Sequence, residues 1–476
     1  MSTYKKVSRK KSIRKRSKSS SRKKSLKSSM NINELQIKIY DYIESQLPSK
    51  EKEKEEAGEV FTPIPMTENL YNNFPKNVME DPSCKWLDPS SGIGNLTIVL
   101  FFKLMDSLKN KIRNDSQRSK HIIENMIYMV EINKNSVRTC KSIFKKICPS
   151  ATPNISNSDF LKFNPSKLKW PELYDCVIGN PPYNIGGIKT NGLKRTHILF
   201  TKDGLKLLKI DGIISYICPP SYREANTPMN KLFKNENGHF IYIKIYGAKD
   251  TFKLFKIQGR VDAFIYQKKI KGDTIIDDEY NVRTIIPSLN LNRHIPNFGY
   301  TIFDKLYKKV KKLGSVKAFR NTELSSIKSD TFGRNGKYKI LHLITEKGKR
   351  VFKTNIKHSL LTIPKILING LGVPYVFYDK NGEYAPSQSP VVILKPSQNI
   401  VKFLKSDLFS FISWGLRLTG NNNLPYLFNY VPDFSKNKKI SDIESFLSLT
   451  SKELSFIKNH FHSYDYDDID IIERKK

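Results

Sequence analysis

The sequence predicts an α/β protein with a Rossmann-like doubly wound sheet, followed by a C-terminal domain of mixed α+β type. Short apolar strands alternate with segments of helical spacing up to about residue 275. Beyond that point Gly, Pro and Asn interrupt shorter elements. A chain of 476 residues is also too long for one typical domain. Alternation of this kind implies right-handed βαβ units that bind ligands at the carboxyl ends of the strands.

The elements follow in chain order from apolar periodicity. One helix face is expected over Ile32–Leu47, and the charged stretch Lys50–Glu56 reads as a linker. The predicted strands are Lys85–Leu87, Ile127–Val130, Ile155–Ser156, Asp175–Ile178, Gly212–Ile217 and Tyr242–Tyr246, with helices at Leu96–Leu108, Ser136–Ile147 and Thr196–Leu208. Short elements of the second domain are expected at Ile363–Gly372, Tyr375–Gly382 and Val391–Leu394. We therefore divide the chain into a tail (1–30), a first domain (31–272), a second domain (273–462) and an acidic tail (463–476).

The net charge of +37 predicts a polyanionic partner, either nucleic acid or an anionic membrane surface. Residues 1–30 carry 13 of these positive charges and 10 serines without an acidic residue, so we expect them to be disordered. The tail is either a solvated extension or a phosphate-binding or nuclear-localisation-like segment. No apolar run is long enough for a transmembrane helix. The five scattered cysteines lack CxxC pairs, which disfavours a metal site and fits reduced thiols in an intracellular protein.

A glycine-rich turn follows the first predicted strand. In Asp88-Pro89-Ser90-Ser91-Gly92-Ile93-Gly94-Asn95, the glycines let the backbone approach a bulky ligand, and Asp88 can hold a cationic or hydroxyl group. A structural turn is the alternative. Glu131 ends the next strand, where an acidic residue pairs with ribose hydroxyls in doubly wound folds, although it can also start a helix. Asp159 ends the third strand, where it accepts from an adenine amino group or caps the following turn.

The most specific motif is Asn180-Pro181-Pro182-Tyr183, directly after a buried strand. Two prolines fix φ and remove two N–H donors, which leaves a stiff loop with free carbonyls. Such a loop suits a site that accepts hydrogen bonds from an amino group. A turn that merely ends the strand is the alternative.

These motifs, in this order, resemble the amino-methyltransferases of the gamma type found in restriction-modification systems. Gly58–Pro63 resembles their upstream motif, and Asp88–Leu96 resembles their cofactor loop, with Ser91 where cysteine is frequent and Leu96 where an aromatic is frequent. The resemblance implies a class I fold that binds S-adenosyl-L-methionine and a C-terminal target-recognition domain. The cofactor residues it implies are Phe61, Thr62, Pro63, Asp88, Ser90, Gly92, Gly94, Glu131, Ile132 and Asp159. The catalytic residues are Asn180, Pro181, Pro182 and Tyr183.

The implied activity is N6 methylation of adenine at a specific DNA sequence. The target base must be flipped out to reach the loop, with Tyr183 stacking on one face. For the other face the family places an aromatic before the last strands, and we favour Phe255 over Phe252, while either is also a candidate core residue. In the second domain, Arg417, Asn421, Asn422 and Asn423 are residue types that read base edges, though an Asn-rich loop is also an ordinary turn.

Other substrates share this loop chemistry: an adenine in RNA, cytosine N4, or a glutamine side chain of a protein. The charge and the long C-terminal part favour duplex DNA over these. We expect an intracellular monomer without a metal or a membrane partner. A separate restriction endonuclease is left open as a partner.

Overall fold

The structure is a computed structural model that describes residues 32–45, 62–183, 195–255, 259–323, 335–345, 347–370, 372–418, 425–436, 442–463 and a strand at 471–472. The basic tail, the charged linker and most of the acidic tail lie outside these residues. So do Phe61, Asn421, Asn422 and Asn423.

The first part of the chain folds around a nine-stranded sheet with the order β3-β2-β1-β4-β5-β7-β6-β8-β9. Its strands are β1 Trp86–Asp88, β2 Ile127–Glu131, β3 Asn154–Asn157, β4 Tyr174–Gly179, β5 Leu208–Cys218, β6 His239–Tyr246, β7 Val261–Gln267, β8 Thr274–Asp277 and β9 Arg283–Ile286. Strands β1 to β5 pair in parallel. Strand β7 is antiparallel to both of its neighbours. The predicted doubly wound α/β fold is confirmed.

The strand order reverses at β1, which pairs with β2 on one side and with β4 on the other. Leu87 of β1 is in register with Tyr128 of β2 and with Val177 of β4. In doubly wound sheets the crevice at such a reversal, outside the carboxyl ends of the strands, is where ligands bind. The glycine-rich turn after β1 and the Asn180 loop after β4 both lie at this edge.

Helices cover both faces of the sheet, because side chains alternate along each strand. Trp86 and Cys176 belong to one hydrophobic cluster, and their neighbours Leu87 and Val177 belong to another. The helices of this part are α1 Ile32–Ser45, α2 Ile64–Asn72, α3 Lys76–Met79, α4 Asn95–Ser107, α5 Asp115–His121, α6 Lys134–Ile147, α7 Thr196–Lys206, α8 Pro228–Glu236 and α9 Ala248–Phe255. A π-helix covers Ile122–Met126, and 3₁₀ helices cover Phe160–Lys162, Pro165–Leu168 and Ser221–Arg223. Cluster residues from α1, α2, α4 and α6 lie on the first face, and those from α7 and α8 on the second.

The sheet continues past residue 272, where we expected the second domain to begin. Strand β8 pairs in parallel with β6, and β9 closes an antiparallel hairpin with β8. Ile276 and Ile286 of this hairpin are buried in the second cluster of the main sheet. The hairpin therefore belongs to the main sheet, and the elements of separate packing begin after residue 286.

The C-terminal part contains two four-stranded sheets, ordered β10-β16-β13-β14 and β15-β11-β12-β17. Their strands are β10 Phe319–Arg320, β11 Tyr338–Thr345, β12 Gly348–Thr354, β13 Lys365–Ile368, β14 Val376–Asp379, β15 Tyr384–Pro386, β16 Val391–Leu394 and β17 Ile471–Ile472. The helices are α10 Tyr300–Leu313, α11 Gln398–Leu404, α12 Asp407–Gly415, α13 Ile443–Leu447 and α14 Ser451–His460, with 3₁₀ turns at Pro425–Tyr430 and Phe434–Lys436. A cluster of its own holds residues of α10, α12, β13 and β16.

All five cysteines are buried and none forms a disulfide. No helix within the described residues is long and apolar enough to cross a bilayer.

Candidate active site at the carboxyl ends of the parallel strands

The turn from β1 into α4 requires glycine at two positions, for different reasons. Gly92 and Gly94 have φ angles of 54° and 95°, in the left-handed region that disfavours a side chain. A Cβ on Gly94 would lie 2.8 Å from Cys140 Sγ of α6. A Cβ on Gly92 would meet nothing within 4 Å. Gly94 therefore permits close helix packing, while Gly92 borders open space in which a ligand fits.

Glu131, at the end of β2, holds this turn in place. Its Oε2 accepts from the Gly92 amide at 2.7 Å, and its Oε1 accepts from the Asn133 amide at 2.7 Å. The side chain is buried, and each carboxylate oxygen retains capacity for a second hydrogen bond. Ile132, the next residue, is 68% exposed, which is unusual for a large apolar side chain beside a buried carboxylate. The pair offers a hydroxyl acceptor and an apolar surface side by side.

Asp88 is buried beneath the same turn. Its Oδ1 accepts from the Ser90 amide at 3.1 Å and its Oδ2 from Thr97 Oγ1 at 2.9 Å. Burial raises the pKa of the Asp88 carboxyl to about 7, and the nearby Glu131 charge adds to the rise, while the two hydrogen bonds oppose it. A cation placed beside Asp88 would favour its ionised form.

Several buried polar atoms around the turn lack hydrogen-bond partners among the described residues. They are Ser90 Oγ, Ser91 Oγ and Asn95 Oδ1. Buried polar atoms in folded proteins are almost always paired, so such a group indicates a missing polar partner. Together with Asp88, Glu131 and the open space at Gly92, they fit a ligand with an amino acid end and a ribose, as S-adenosylmethionine has.

Asp159 follows β3 and caps the short helix after it. Its Oδ1 accepts from the Leu161 amide at 3.0 Å, and its Oδ2 lies 3.7 Å from Lys162 Nζ. The capping role that we named as the alternative is thus present. Its second oxygen is placed to accept from an adenine amino group only if the weak contact with Lys162 gives way.

Thr62 joins the catalytic loop to the glycine-rich turn. Its Oγ1 accepts from Asn180 Nδ2 at 3.0 Å, across 118 positions of sequence. Its carbonyl accepts from Asn95 Nδ2 at 3.2 Å. Pro63 is the residue before α2 and provides no side-chain cap. The upstream motif and the two loops therefore meet at Thr62, and the amide of Asn180 is oriented by its Nδ2.

The rest of the loop is partly enclosed. Pro181 is buried, and Pro182 and Tyr183 are half-buried. The Tyr183 ring packs against the hydrophobic clusters of both sheet faces. Its hydroxyl is buried without a hydrogen-bond partner among the described residues, and burial raises the pKa of this phenol well above its usual range. The ring is held in one place by packing.

The sequence motifs missed His197, which lies in the first turn of α7. Its Nδ1 is 3.3 Å from the Tyr183 carbonyl oxygen, and its ring meets the Tyr183 ring edge-on at 6.4 Å. A single histidine in a helix gives no signal of such a contact, because it depends on how α7 packs against the loop.

The two aromatic candidates near β7 differ in exposure. Phe255 is 2% exposed and belongs to a hydrophobic cluster with Tyr242 and Val261, which is the core role we named as its alternative. Phe252 is 54% exposed on the same helix, α9. Because α9 follows β6, which runs parallel to β4, Phe252 lies at the same sheet edge as the catalytic loop.

Arg417, in the C-terminal part, is not exposed to a nucleic acid. Its side chain is 1% exposed, and its guanidinium stacks on the Trp414 ring at 4.1 Å. One Nη donates to Ser413 Oγ at 3.0 Å. As placed, Arg417 is a core residue and not a reader of base edges.

The strand order 3-2-1-4-5-7-6 with an antiparallel seventh strand, together with the glycine-rich turn after β1, is that of class I S-adenosylmethionine-dependent methyltransferases. Residues 90–252 match the family described as Eco57I restriction-modification methylase. The resemblance to restriction-modification methyltransferases is thereby confirmed for this part of the chain.

Two curated relatives share low identity with the chain. The type II methyltransferase M.VspI of Vibrio sp. is 23% identical over 39% of this chain and 42% of its own length. An uncharacterized adenine-specific methylase of Mycoplasma pneumoniae is 22% identical over 47% of this chain and 70% of its own length. The chain thus aligns with less than half of the Vibrio protein.

Solved structures also resemble the chain. The type IIL restriction-modification enzyme MmeI, solved in complex with DNA, is 10% identical, with a TM-score of 0.46 over 78% of this chain and 65% of that one. A class I S-adenosylmethionine-dependent methyltransferase from Listeria monocytogenes is 15% identical, with a TM-score of 0.36 over 50% of this chain and 69% of that one.

Proposed function

We propose that this protein is an S-adenosylmethionine-dependent DNA methyltransferase that methylates the N6 amino group of adenine at a defined sequence. One observation carries the proposal. Asn180, at the carboxyl end of the central strand β4, is held by Thr62, whose carbonyl also bonds Asn95 of the glycine-rich turn. An amide that can accept from an amine is thus fixed beside the predicted cofactor site.

The residues around the turn would hold the cofactor. Asp88 and the hydroxyls of Ser90 and Ser91 suit its amino acid end, and Glu131 suits the ribose hydroxyls. Ile132 and Asp159 suit the ring and the amino group of the adenine moiety. When bound, S-adenosylmethionine supplies an electrophilic methyl group on its sulfonium.

The loop residues activate the target amine. The lone pair of an adenine amino nitrogen is delocalised into the ring, which makes it a poor nucleophile. Asn180 Oδ1 and the Pro181 carbonyl would each accept one N–H, which draws the nitrogen toward tetrahedral geometry and frees its lone pair. The nitrogen gains the methyl group, the carbon–sulfur bond breaks toward sulfur, and one N–H proton leaves to solvent. Positioning and hydrogen bonding suffice, without a strong base.

A base in a duplex cannot reach a loop that is partly enclosed, so the adenine must be extruded. Tyr183 would stack on one face of it. For the second face we now favour Phe252 over Phe255, since only Phe252 is exposed. Phe255 would have to leave a hydrophobic cluster to contact a base.

Two features support DNA and adenine as the target. The net charge of +37 favours a large polyanion over a protein or a small molecule. The Mycoplasma relative is described as adenine-specific, and the Vibrio relative is a type II methyltransferase.

The test is transfer of labelled methyl groups from S-adenosylmethionine to duplex DNA, with ribosomal RNA and whole-cell protein as parallel acceptors. We expect N6-methyladenine in DNA at one short sequence, located by methylation-sensitive long-read sequencing. Labelling of RNA or protein with DNA untouched would refute the proposal.

The Asn180→Ala variant tests the catalytic loop directly. We expect turnover to fall at least about 100-fold, because a transition-state hydrogen bond is lost, while cofactor affinity measured by calorimetry stays within about two-fold. Asn73→Ala is the matched control, since Asn73 bonds only within α2 and lies outside the loops. Loss of cofactor binding in Asn180→Ala would mean that the loop is misassigned.

A further inference from the structure

His197 is buried between the catalytic loop and the segment that follows β5. It is 3% exposed. Its Nδ1 is 3.3 Å from the Tyr183 carbonyl oxygen, and its Nε2 is 3.2 Å from Ser221 Oγ. Both ring nitrogens are therefore engaged, one by the last residue of the Asn-Pro-Pro-Tyr motif and one by a different loop.

These two contacts allow only one neutral form of the ring. A carbonyl oxygen can only accept, so the proton must be on Nδ1, and Nε2 must accept from the Ser221 hydroxyl. Ser221 Oγ also lies 3.1 Å from Met229 Sδ, a weaker acceptor than an imidazole nitrogen. Burial lowers the pKa of His197 to about 4, and the Arg195 charge lowers it further, against the opposing effect of the bond to Tyr183. The ring is neutral at physiological pH.

Ser221 is itself firmly placed. It begins the 3₁₀ turn Ser221–Arg223, and its carbonyl accepts from Thr227 Oγ1 at 2.6 Å. At the other end of this turn, the fully buried Arg223 forms an ion pair with Asp262 of β7 at 2.7 Å. The support of His197 is thus anchored in the main sheet.

The same turn also contacts the C-terminal part. Arg223 Nη1 donates to Asn297 Oδ1 at 3.0 Å. Asn297 Nδ2 in turn donates to the carbonyls of Trp414 and Arg417 at 3.0 and 2.9 Å. A continuous set of hydrogen bonds therefore runs from Tyr183 through His197 and the 3₁₀ turn to the end of α12.

We infer that His197 is a positioning residue of the catalytic loop, which fixes Tyr183 by donating from Nδ1 to its main-chain carbonyl. Thr62 holds the start of the loop through Asn180, and His197 holds its end. The two prolines between them have fixed φ angles, so securing both ends defines the whole loop. The consequence for turnover rests on the proposed function, whereas the tautomer of His197 does not.

The activity test compares two replacements of His197. His197→Leu removes the donor, and we expect kcat to fall about 100-fold from misplacement of the loop, with cofactor affinity unchanged. His197→Asn keeps an N–H near the Nδ1 position, and we expect it to recover at least about ten-fold of that loss. His121→Leu is the matched control, because His121 contacts the carbonyl of Pro82 on the far side of α5 and should keep the wild-type kcat. Equal kcat values in the Leu and Asn variants, or wild-type kcat in His197→Leu, would overturn the inference.

A second measurement needs neither activity nor a folded variant. Nitrogen-15 spectra of histidine-labelled wild-type protein report the tautomer of each imidazole, and the His197 signals are assigned by their absence in His197→Asn. We expect a neutral ring with the proton on Nδ1 between pH 6 and 8. A proton on Nε2 would overturn the inference even if DNA methylation is found. An Nδ1–H ring in a protein that does not methylate DNA would uphold it and refute the proposed function alone.

Discussion

A few buried polar residues decide what the site can bind. Asp88 and Glu131 are both buried, and each bonds to the backbone of the glycine-rich turn. Their carboxylates are therefore preorganised, since no reorganisation is needed when a ligand arrives. The burial that preorganises Asp88 also raises its pKa, so its charge responds to pH near neutrality.

The affinity for S-adenosylmethionine should decrease as the pH falls from 8 to 6. The pKa of Asp88 is about 7, so the carboxyl loses its charge in this range and with it the attraction for the cationic ligand. Calorimetric titration at several pH values measures the effect, and Asp88→Asn should bind weakly with a much flatter pH profile. An unchanged affinity from pH 8 to 6 in the wild type would contradict the assignment of Asp88.

The same shift predicts the sign of a stability effect in the cofactor-free protein. The folded-state pKa, about 7, is above the model value of 3.8, so the ionised carboxyl destabilises the fold at high pH. This destabilisation decreases as the pH falls below 7. Asp88→Asn should therefore raise the melting temperature more at pH 8 than at pH 5.

At the scale of elements, the turn between β1 and α4 depends on its contact with α6. The sequence predicts the turn from its glycines, but the two glycines are under different constraints. Both have positive φ, and only Gly94 is also pressed against a neighbour, Cys140. Gly92 is the natural control for Gly94, because it has the same backbone preference without the contact.

In the cofactor-free protein, Gly94→Ala should be more destabilising than Gly92→Ala. Both replacements introduce left-handed strain of about 1 to 2 kcal/mol, and the Gly94 replacement adds a clash with Cys140 Sγ. Urea unfolding measures the difference. Adding Cys140→Ala should reduce the penalty of Gly94→Ala and leave that of Gly92→Ala unchanged; equal penalties throughout would mean that helix packing does not constrain Gly94.

At the scale of the whole molecule, positive charge is spread beyond the N-terminal tail. Without the 13 charges of residues 1–30, the rest of the chain still carries +24 of the +37. A polyanion would therefore interact with the folded parts as well as the tail. The tail is either a contributor to this attraction or a solvated extension.

Deleting residues 1–30 distinguishes these two roles. If the tail contacts phosphates, the dependence of log Kd for duplex DNA on log salt becomes shallower, since fewer counterions are released. We expect this result, together with an unchanged melting temperature and an unchanged methylation sequence. An identical salt slope for both proteins would identify the tail as a solvated extension. Fluorescence anisotropy with a labelled duplex measures both slopes.

The sequence by itself determined the type of each main element and the place of each motif. Apolar periodicity and the chemistry of Gly and Pro are local properties, so the first-domain strands and the Asn180 loop were predicted close to their observed positions. The observed β5 is longer than predicted, Leu208–Cys218 instead of Gly212–Ile217, and the hairpin β8–β9 was assigned to the wrong side of a domain border. Both concern how far a sheet extends, which depends on pairing with distant strands.

Only the tertiary structure decided which side chains meet. The bond from Asn180 to Thr62 spans 118 positions, and the contact of His197 with Tyr183 depends on the packing of α7. Phe252 and Phe255 have equal chemistry, and only the orientation of α9 exposes one and buries the other. Arg417 has the chemistry of a base reader but is stacked on Trp414. Burial and long-range contact arise from the packing of elements far apart in sequence, which local patterns do not encode.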